Sequence, residues 1–211
     1  MIDFTNLRCH LSGMARFGRD DRGAQIVEFA VSLPLLVLFV VGIFDFSNAF
    51  TLKQKLTNIA RDAARVAAGE PASDLQSPST SAPASVMDAF QDIDNYLLAN
   101  NINDCGIGLS NAPVGMTWTS IAAGNGCPPG GLTIIINRGY YFAASVATQP
   151  ASTNCQSLPF GGGPTGTAII GTCVSIRYGY PWRFGRVASL LGANTTLSST
   201  ISATAVSMNE N

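Results

Sequence analysis

The chain has 211 residues, with 12 lysines and arginines against 13 aspartates and glutamates, a formal net charge of -1. That balance argues against a nucleic-acid binder, which needs a basic surface to displace counterions from phosphate. Charged residues are only 12% of the chain, about half the usual share, and mean hydropathy is +0.24. Part of the chain is therefore built for lipid or a protein interior. The single histidine, His10, lies near the N-terminus. The rest of the chain has no imidazole for Ser-His-Asp or Cys-His catalysis, or for a histidine-containing zinc site.

The missing charge is concentrated in one stretch. Phe29 to Phe44 reads FAVSLPLLVLFVVGIF, sixteen residues without a charge, closed by Asp45. As a helix, Ala24 to Phe44 rises about 31 Å, enough to cross a hydrocarbon core. Pro34 and Gly42 are compatible with a membrane span. Two plainer readings exist. One is a buried soluble helix, for which the charge-free run is long. The other is a secretory signal cut after Ser47-Asn48-Ala49, for which the run is again long and Glu28 is out of place.

Orientation is not settled by charge. Arg8, Arg16, Arg19 and Arg22 precede the span and Lys53, Lys55, Arg61 and Arg65 follow it. Cysteine placement separates the sides: Cys9 is alone before the span, whereas Cys105, Cys127, Cys155 and Cys173 all follow it. An even set fits an oxidising compartment and a lone thiol fits the cytoplasm. The tail is therefore expected inside, and residues after about Asp45 outside.

A carboxylate within an apolar span costs roughly 2.5–3.5 kcal/mol on insertion scales, so Glu28 calls for a partner. The plain reading places Glu28 near the headgroups, paired with Arg22 or water.

The helix is expected to continue past the membrane, since Leu52, Leu56, Ile59, Ala63 and Val66 fall on one face. Gly69 and Pro71 end it. Residues 70–84, EPASDLQSPSTSAPA, read as an exposed linker. Ser85, with Asp88 three places on, is expected to cap a second helix whose apolar face is Val86, Phe90, Ile93 and Leu97, ending near Asn100-Asn101.

From Gly106 the runs shorten. Leu132–Ile136 and Tyr140–Ala147 flank Asn137-Arg138-Gly139, which reads as a hairpin. Val174, Ile176, Tyr178 and Tyr180 alternate with polar or small residues, a half-buried strand. Thr195–Met208 would be the last strand. The expected fold is α+β: a long N-terminal transmembrane helix continuing outside the membrane, then a second helix and a small antiparallel sheet.

The four outer cysteines permit three pairings. Cys105–Cys127 and Cys155–Cys173 are favoured, because each closes a short loop around a Gly/Pro-rich segment. A zinc site would lack both a C-x-x-C pair and histidine. Residues 159–166, PFGGGPTG, are glycine-rich but no lysine follows them, so they read as a flexible loop and not a phosphate loop. Asp88, Asp92 and Asp94 read as a solvated helix face, since calcium needs denser oxygen ligands. Trp118, Tyr140, Tyr141, Tyr178, Tyr180 and Trp182 read as core and rim aromatics, with a receptor-contact patch as the sharper alternative. Asn194-Thr195-Thr196 fits a glycosylation sequon. No cofactor or metal is implied.

The junction Arg22-Gly23-Ala24-Gln25-Ile26-Val27-Glu28-Phe29 resembles the processing site of type IV prepilins and pseudopilins: an Arg-bearing tail, a glycine, then an apolar helix with glutamate at its fifth residue. The wider run also carries Ala30, Pro34, Gly42, Phe44-Asp45-Phe46 and Ala60-Arg61-Asp62-Ala63-Ala64-Arg65. From Arg22 to about Ala67 it resembles the TadE-like domain of tight-adherence (Tad) pilus systems, and the ending Ile201–Val206 looks like the close of that family.

The resemblance implies a non-catalytic minor pseudopilin or pilus assembly protein, anchored by one helix in the bacterial inner membrane and possessing no enzyme activity. It implies cleavage between Gly23 and Ala24 by a prepilin peptidase, with Glu28 and Phe29 in recognition and subunit registry. It also implies as partners the peptidase, other Tad pilins and pseudopilins, the inner-membrane assembly platform and the lipid bilayer. The organisation that follows is a leader over 1–23, a membrane helix over 24–45, its extension over 46–69, a linker over 70–84 and an outer domain over 85–211. The alternative is an envelope adhesin or binding module on a plain membrane anchor.

Overall fold

The computed structural model describes residues 21–76, 82–109, 113–142, 154–155, 169–184 and 199–209. Helix α1 runs from Asp21 to Gly69, 49 residues and about 73 Å. A 3-10 turn follows over Ala72–Gln76, then helix α2 over Ala84–Ala99. Four strands complete the fold: β1 Thr117–Ala122, β2 Leu132–Phe142, β3 Ile169–Gly179 and β4 Thr200–Met208. They form one antiparallel sheet in the order β1-β2-β3-β4. The architecture is α+β, as expected, with the outer half of α1 packed on α2, β3 and β4.

One sheet face carries the core. Trp118, Leu132, Ile134, Ile136, Val174, Ile176, Tyr178, Ala203 and Ala205 are buried on it. Opposing them are Leu56, Ile59, Ala60, Ala63, Ala64 and Ala67 of α1 and Val86, Ala89, Phe90, Ile93 and Leu97 of α2. Alanines on both α1 and β4 let backbones approach closely. The expected α1 stripe holds as far as Ala63 but not at Val66, which is 40% exposed; Ala67 takes the inward place. Spacings of three and four both keep a helical face, and only the packing chooses between them.

The predicted hairpin at 137–139 is not one. Leu132 to Phe142 is a single strand whose pairing with β3 shifts between Asn137 and Tyr140. Arg138 and Gly139 face one residue, Thr172, across the ladder, which is a β-bulge. The bulge flips the alternation: Ile134, Ile136 and Arg138 lie toward the helices, whereas Tyr140 joins Ile135, Cys155 and Cys173 in a small cluster on the far face. Of the second predicted run, residues 143–147 lie outside the described residues, as do 195–198 of the predicted last strand, the 159–166 loop and the Asn194 sequon.

Two further expectations change. α2 starts at Ala84 with Pro83 at its N-cap and no side-chain cap; Ser85 instead donates its N–H to Asp74 Oδ2 at 3.1 Å. The cap thus comes from within the segment read as a linker. Strand β1 was not foreseen, because TWTSIA is short and only Trp118 and Ser120 of it are buried.

Disulfides join Cys105 to Cys127 and Cys155 to Cys173. The second holds Cys155 onto β3, where its carbonyl accepts a 2.7 Å hydrogen bond from Asn137 Nδ2. Bridges closing loops this short stabilise by roughly 3 kcal/mol each on the chain-entropy model. Replacing Cys155 and Cys173 together by serine should lower stability by about that amount, measured by denaturant unfolding of the detergent-solubilised chain. A change below about 0.5 kcal/mol would show that the bridge constrains little in the unfolded state.

Candidate functional site: the bare half of the long helix

α1 has two halves with opposite surroundings. From Gln25 to about Val40 almost every side chain is exposed, Ile26 at 70%, Phe29 at 65% and Phe39 at 69% among them. The helix is long and apolar enough to cross a membrane. A surface this greasy in water would be costly, at about 25 cal/mol for every Å² left uncovered. Pro34 sits within it and removes the N–H that the Ala30 carbonyl would otherwise meet; nearby, Ser32 Oγ donates to the Phe29 carbonyl at 3.3 Å.

The residues of the predicted processing junction lie at the head of this half. Gly23 is exposed in the first turns of α1, with open space where a Cβ would stand. Glu28 and Phe29 are exposed on the same helix. The structure does not bring these residues to the disulfides, which belong to the outer domain. His10 and Cys9 lie outside the described residues.

At the other end of the bare half, the chain returns to the helix. Gly42, Asp45 and Ala49 are buried and continue the inward face of Leu52, Leu56 and Ile59. Over Gly42 and Asp45 lies Tyr180–Phe184, just after β3. Asp45 Oδ1 accepts from the Tyr180 hydroxyl at 3.0 Å. Asp45 Oδ2 accepts from the backbone N–H groups of Arg183 at 2.8 Å and Phe184 at 2.9 Å. Burial pushes the Tyr180 phenol up to about 12, assisted by its hydrogen bond to Asp45 and the charge there, against a smaller opposing pull from Arg183. Tyr180 therefore remains a donor at any ordinary pH.

Rings pack around this carboxylate. Phe46 lies 5.2 Å from Trp182 and 6.2 Å from Phe184, centroid to centroid, and Tyr180 meets Trp182 edge-on at 4.8 Å. The Phe184 ring covers Gly42 so closely that a Cβ there would come within 3.1 Å of it. In the sequence Asp45 marks the end of the span and the Phe44-Asp45-Phe46 exit, and Tyr180 and Trp182 read as rim aromatics or a receptor-contact patch; nothing there pairs the acid with Tyr180–Phe184. The available signal was a lone acid at the exit of an apolar run together with the dense YPWRF segment.

Among the described residues no cluster of three or more His, Cys, Asp or Glu could hold a metal. A concavity on the outer sheet face, between Thr119, Ile121, Thr133, Ile135 and Arg177, has Arg177 as the one titratable side chain in its described lining. It offers no acid–base pair.

The geometry defines a class: a single bare apolar helix carrying a small disulfide-linked α+β domain on its far half. Residues 23–65 match the family model described as TadE-like protein, and they form a TadE-like domain. The match starts at Gly23 and covers the bare half, Asp45 and most of the helix that enters the outer domain. No curated protein and no solved structure matches the chain.

Proposed function

We propose that this protein is a minor pseudopilin, or pilus assembly protein, of a Tad pilus. It has no catalysis of its own. In this reading residues 1–23 are a cytoplasmic leader, 24–45 cross the inner membrane, 46–69 carry the helix into the outer compartment, and the domain beyond is extracytoplasmic. The observation that carries the reading is a coincidence of position. The TadE-like match begins at Gly23, in the first turns of a helix with an exposed apolar surface, and Glu28, five residues past the Arg22-Gly23 junction, is the one acid before Asp45.

The physical logic is that of a helix able to change surroundings. Its apolar side chains are covered equally well by lipid tails or by neighbouring helices, so transfer from membrane to filament costs little hydrophobic energy. A buried charge does distinguish the two. Glu28 among helices needs a cation, and cutting after Gly23 supplies the α-ammonium of Ala24 on its own or an adjacent subunit. Prepilin peptidase, partner pilins and the assembly platform follow as partners.

Mass spectrometry of protein extracted from membranes tests this. With the peptidase present, the expected mature chain begins at Ala24; without it, the chain retains Met1. A chain that keeps Met1 in both cases would refute the pseudopilin reading and leave an adhesin or binding module on a plain anchor.

A further inference from the structure

We propose that Tyr180–Phe184 is a foot that seats the outer domain in the interfacial layer of the bilayer, with Tyr180 and Trp182 among the lipid headgroups, Phe184 beneath them at the last apolar turn and Arg183 toward the phosphates. This rests on the reading that α1 crosses the membrane.

The depth argument comes from α1. A hydrocarbon core about 30 Å thick needs about 20 helical residues. The charge-free run Phe29–Phe44 supplies sixteen, about 24 Å. The whole run must therefore lie in the core, whichever end is extended to complete it. Gly42 belongs to that run, and the Phe184 ring lies directly on it. Phe184 is consequently held at the depth of the last apolar turn, below Asp45. The outer domain reaches into the membrane and does not hang above it.

The chemistry of the segment suits that place. Tyr and Trp favour the headgroup level because each joins an apolar ring to a polar atom. Here Tyr180 and Trp182 pack edge to face beside Phe46, which is 50% exposed. Arg183 is exposed next to them and can carry its charge outward to phosphate. Asp45 would be expensive at this boundary if bare, and the three donors from the foot satisfy it. One contact set thus both satisfies the acid's oxygens and fixes the depth of the rings.

The chain has two tryptophans, and Trp118 is 1% exposed in the core. Full-length protein would be reconstituted in phosphatidylethanolamine/phosphatidylglycerol vesicles containing lipids brominated either near the headgroup or near the chain ends. In Trp118→Phe, Trp182 is the sole emitter; in Trp182→Phe, Trp118 is. A third protein carries Trp118→Phe, Trp182→Phe and Phe39→Trp, which places the only indole on the bare half of α1. The foot is expected to make Trp182 emission fall about twofold with shallow bromines and less with deep ones, while Trp118 is unmoved. Wild type, with both indoles, should show the same shallow preference even if Trp118→Phe folds poorly. If the Phe39→Trp indole is quenched by deep bromines and Trp182 by neither set, the foot is refuted and the membrane span stands. If neither indole is quenched, the span fails and the foot with it.

Discussion

Replacing Arg138 by methionine should destabilise the outer domain by about 3–5 kcal/mol, a large part of the total stability of an ordinary domain. Arg138 is fully buried, and both of its terminal guanidinium nitrogens are hydrogen-bonded, whereas its Nε meets no acceptor. One guanidinium nitrogen donates to the Ala67 carbonyl, to Thr172 Oγ1 at 3.0 Å and to Asn209 Oδ1 at 3.4 Å; the other donates to the Glu70 carbonyl at 3.0 Å. The last carbonyls of a helix have no partner within it, and α1 has no basic residue in its own last turn. Arg138 supplies the missing donors from across the sheet. It also lies 3.9 Å from Asp74, whose other oxygen accepts from Ser85 at the start of α2. One side chain therefore ties the end of α1, the entry to α2 and the end of β4.

Burial lowers the pKa of Arg138, and the charges of Asp74 and Glu70 oppose that. It remains cationic, as arginine does in proteins. Arg138→Lys keeps a charge but loses the planar fork, so it should recover less than half of the loss. Denaturant unfolding of the full chain in detergent measures both variants. A loss below about 1 kcal/mol for Arg138→Met would show that water replaces the guanidinium without strain.

The second large effect is expected at Asp45. Asp45→Ala removes a carboxyl acceptor from the Tyr180 hydroxyl and from two backbone N–H groups, at a cost of about 2–3 kcal/mol. It should also change an alkaline titration. Tyr180 is raised from 10.0 to about 12. A phenol favoured in its neutral form contributes stability that is fully present below pH 10 and lost as pH rises towards 12. Without Asp45 two of the causes of the rise disappear while burial remains, so the Tyr180 phenol should ionise at lower pH. Difference titration of wild type against Asp45→Ala, each with and without Tyr180→Phe, isolates this group by its phenolate absorbance. An unchanged Tyr180 titration would mean that burial alone sets it.

How far such features could be read beforehand differs by element. The α2 face at Val86, Phe90, Ile93 and Leu97 was legible because regular spacing by itself defines which side is apolar. Pro83 as the N-cap, with Asp74 as acceptor for Ser85, was not, since a cap borrowed from eleven residues away leaves no local pattern. Asn137-Arg138-Gly139 has turn composition, and a β-bulge wants the same residue types as a turn. Only Thr172 and the end of α1, far along the chain, decide that this strand continues. Asp45 was visible as the end of a hydrophobic run, but its three donors lie 135 to 139 residues further on.

What the sequence determined alone is whatever depends on local composition and period. That includes the greasiness of the run that α1 carries, Glu28 as the one acid between Gly23 and Asp45, the Arg22-Gly23 junction ahead of that run, the α+β class and the apolar side of each helix. The tertiary structure decided where polar groups find partners: Arg138 on the end of α1, and Asp45 under Tyr180–Phe184. The physical reason is that apolar burial is non-directional and sums along a segment, so periodicity reports it. A buried charge depends on a few oriented donors or acceptors, and these can come from any part of the chain.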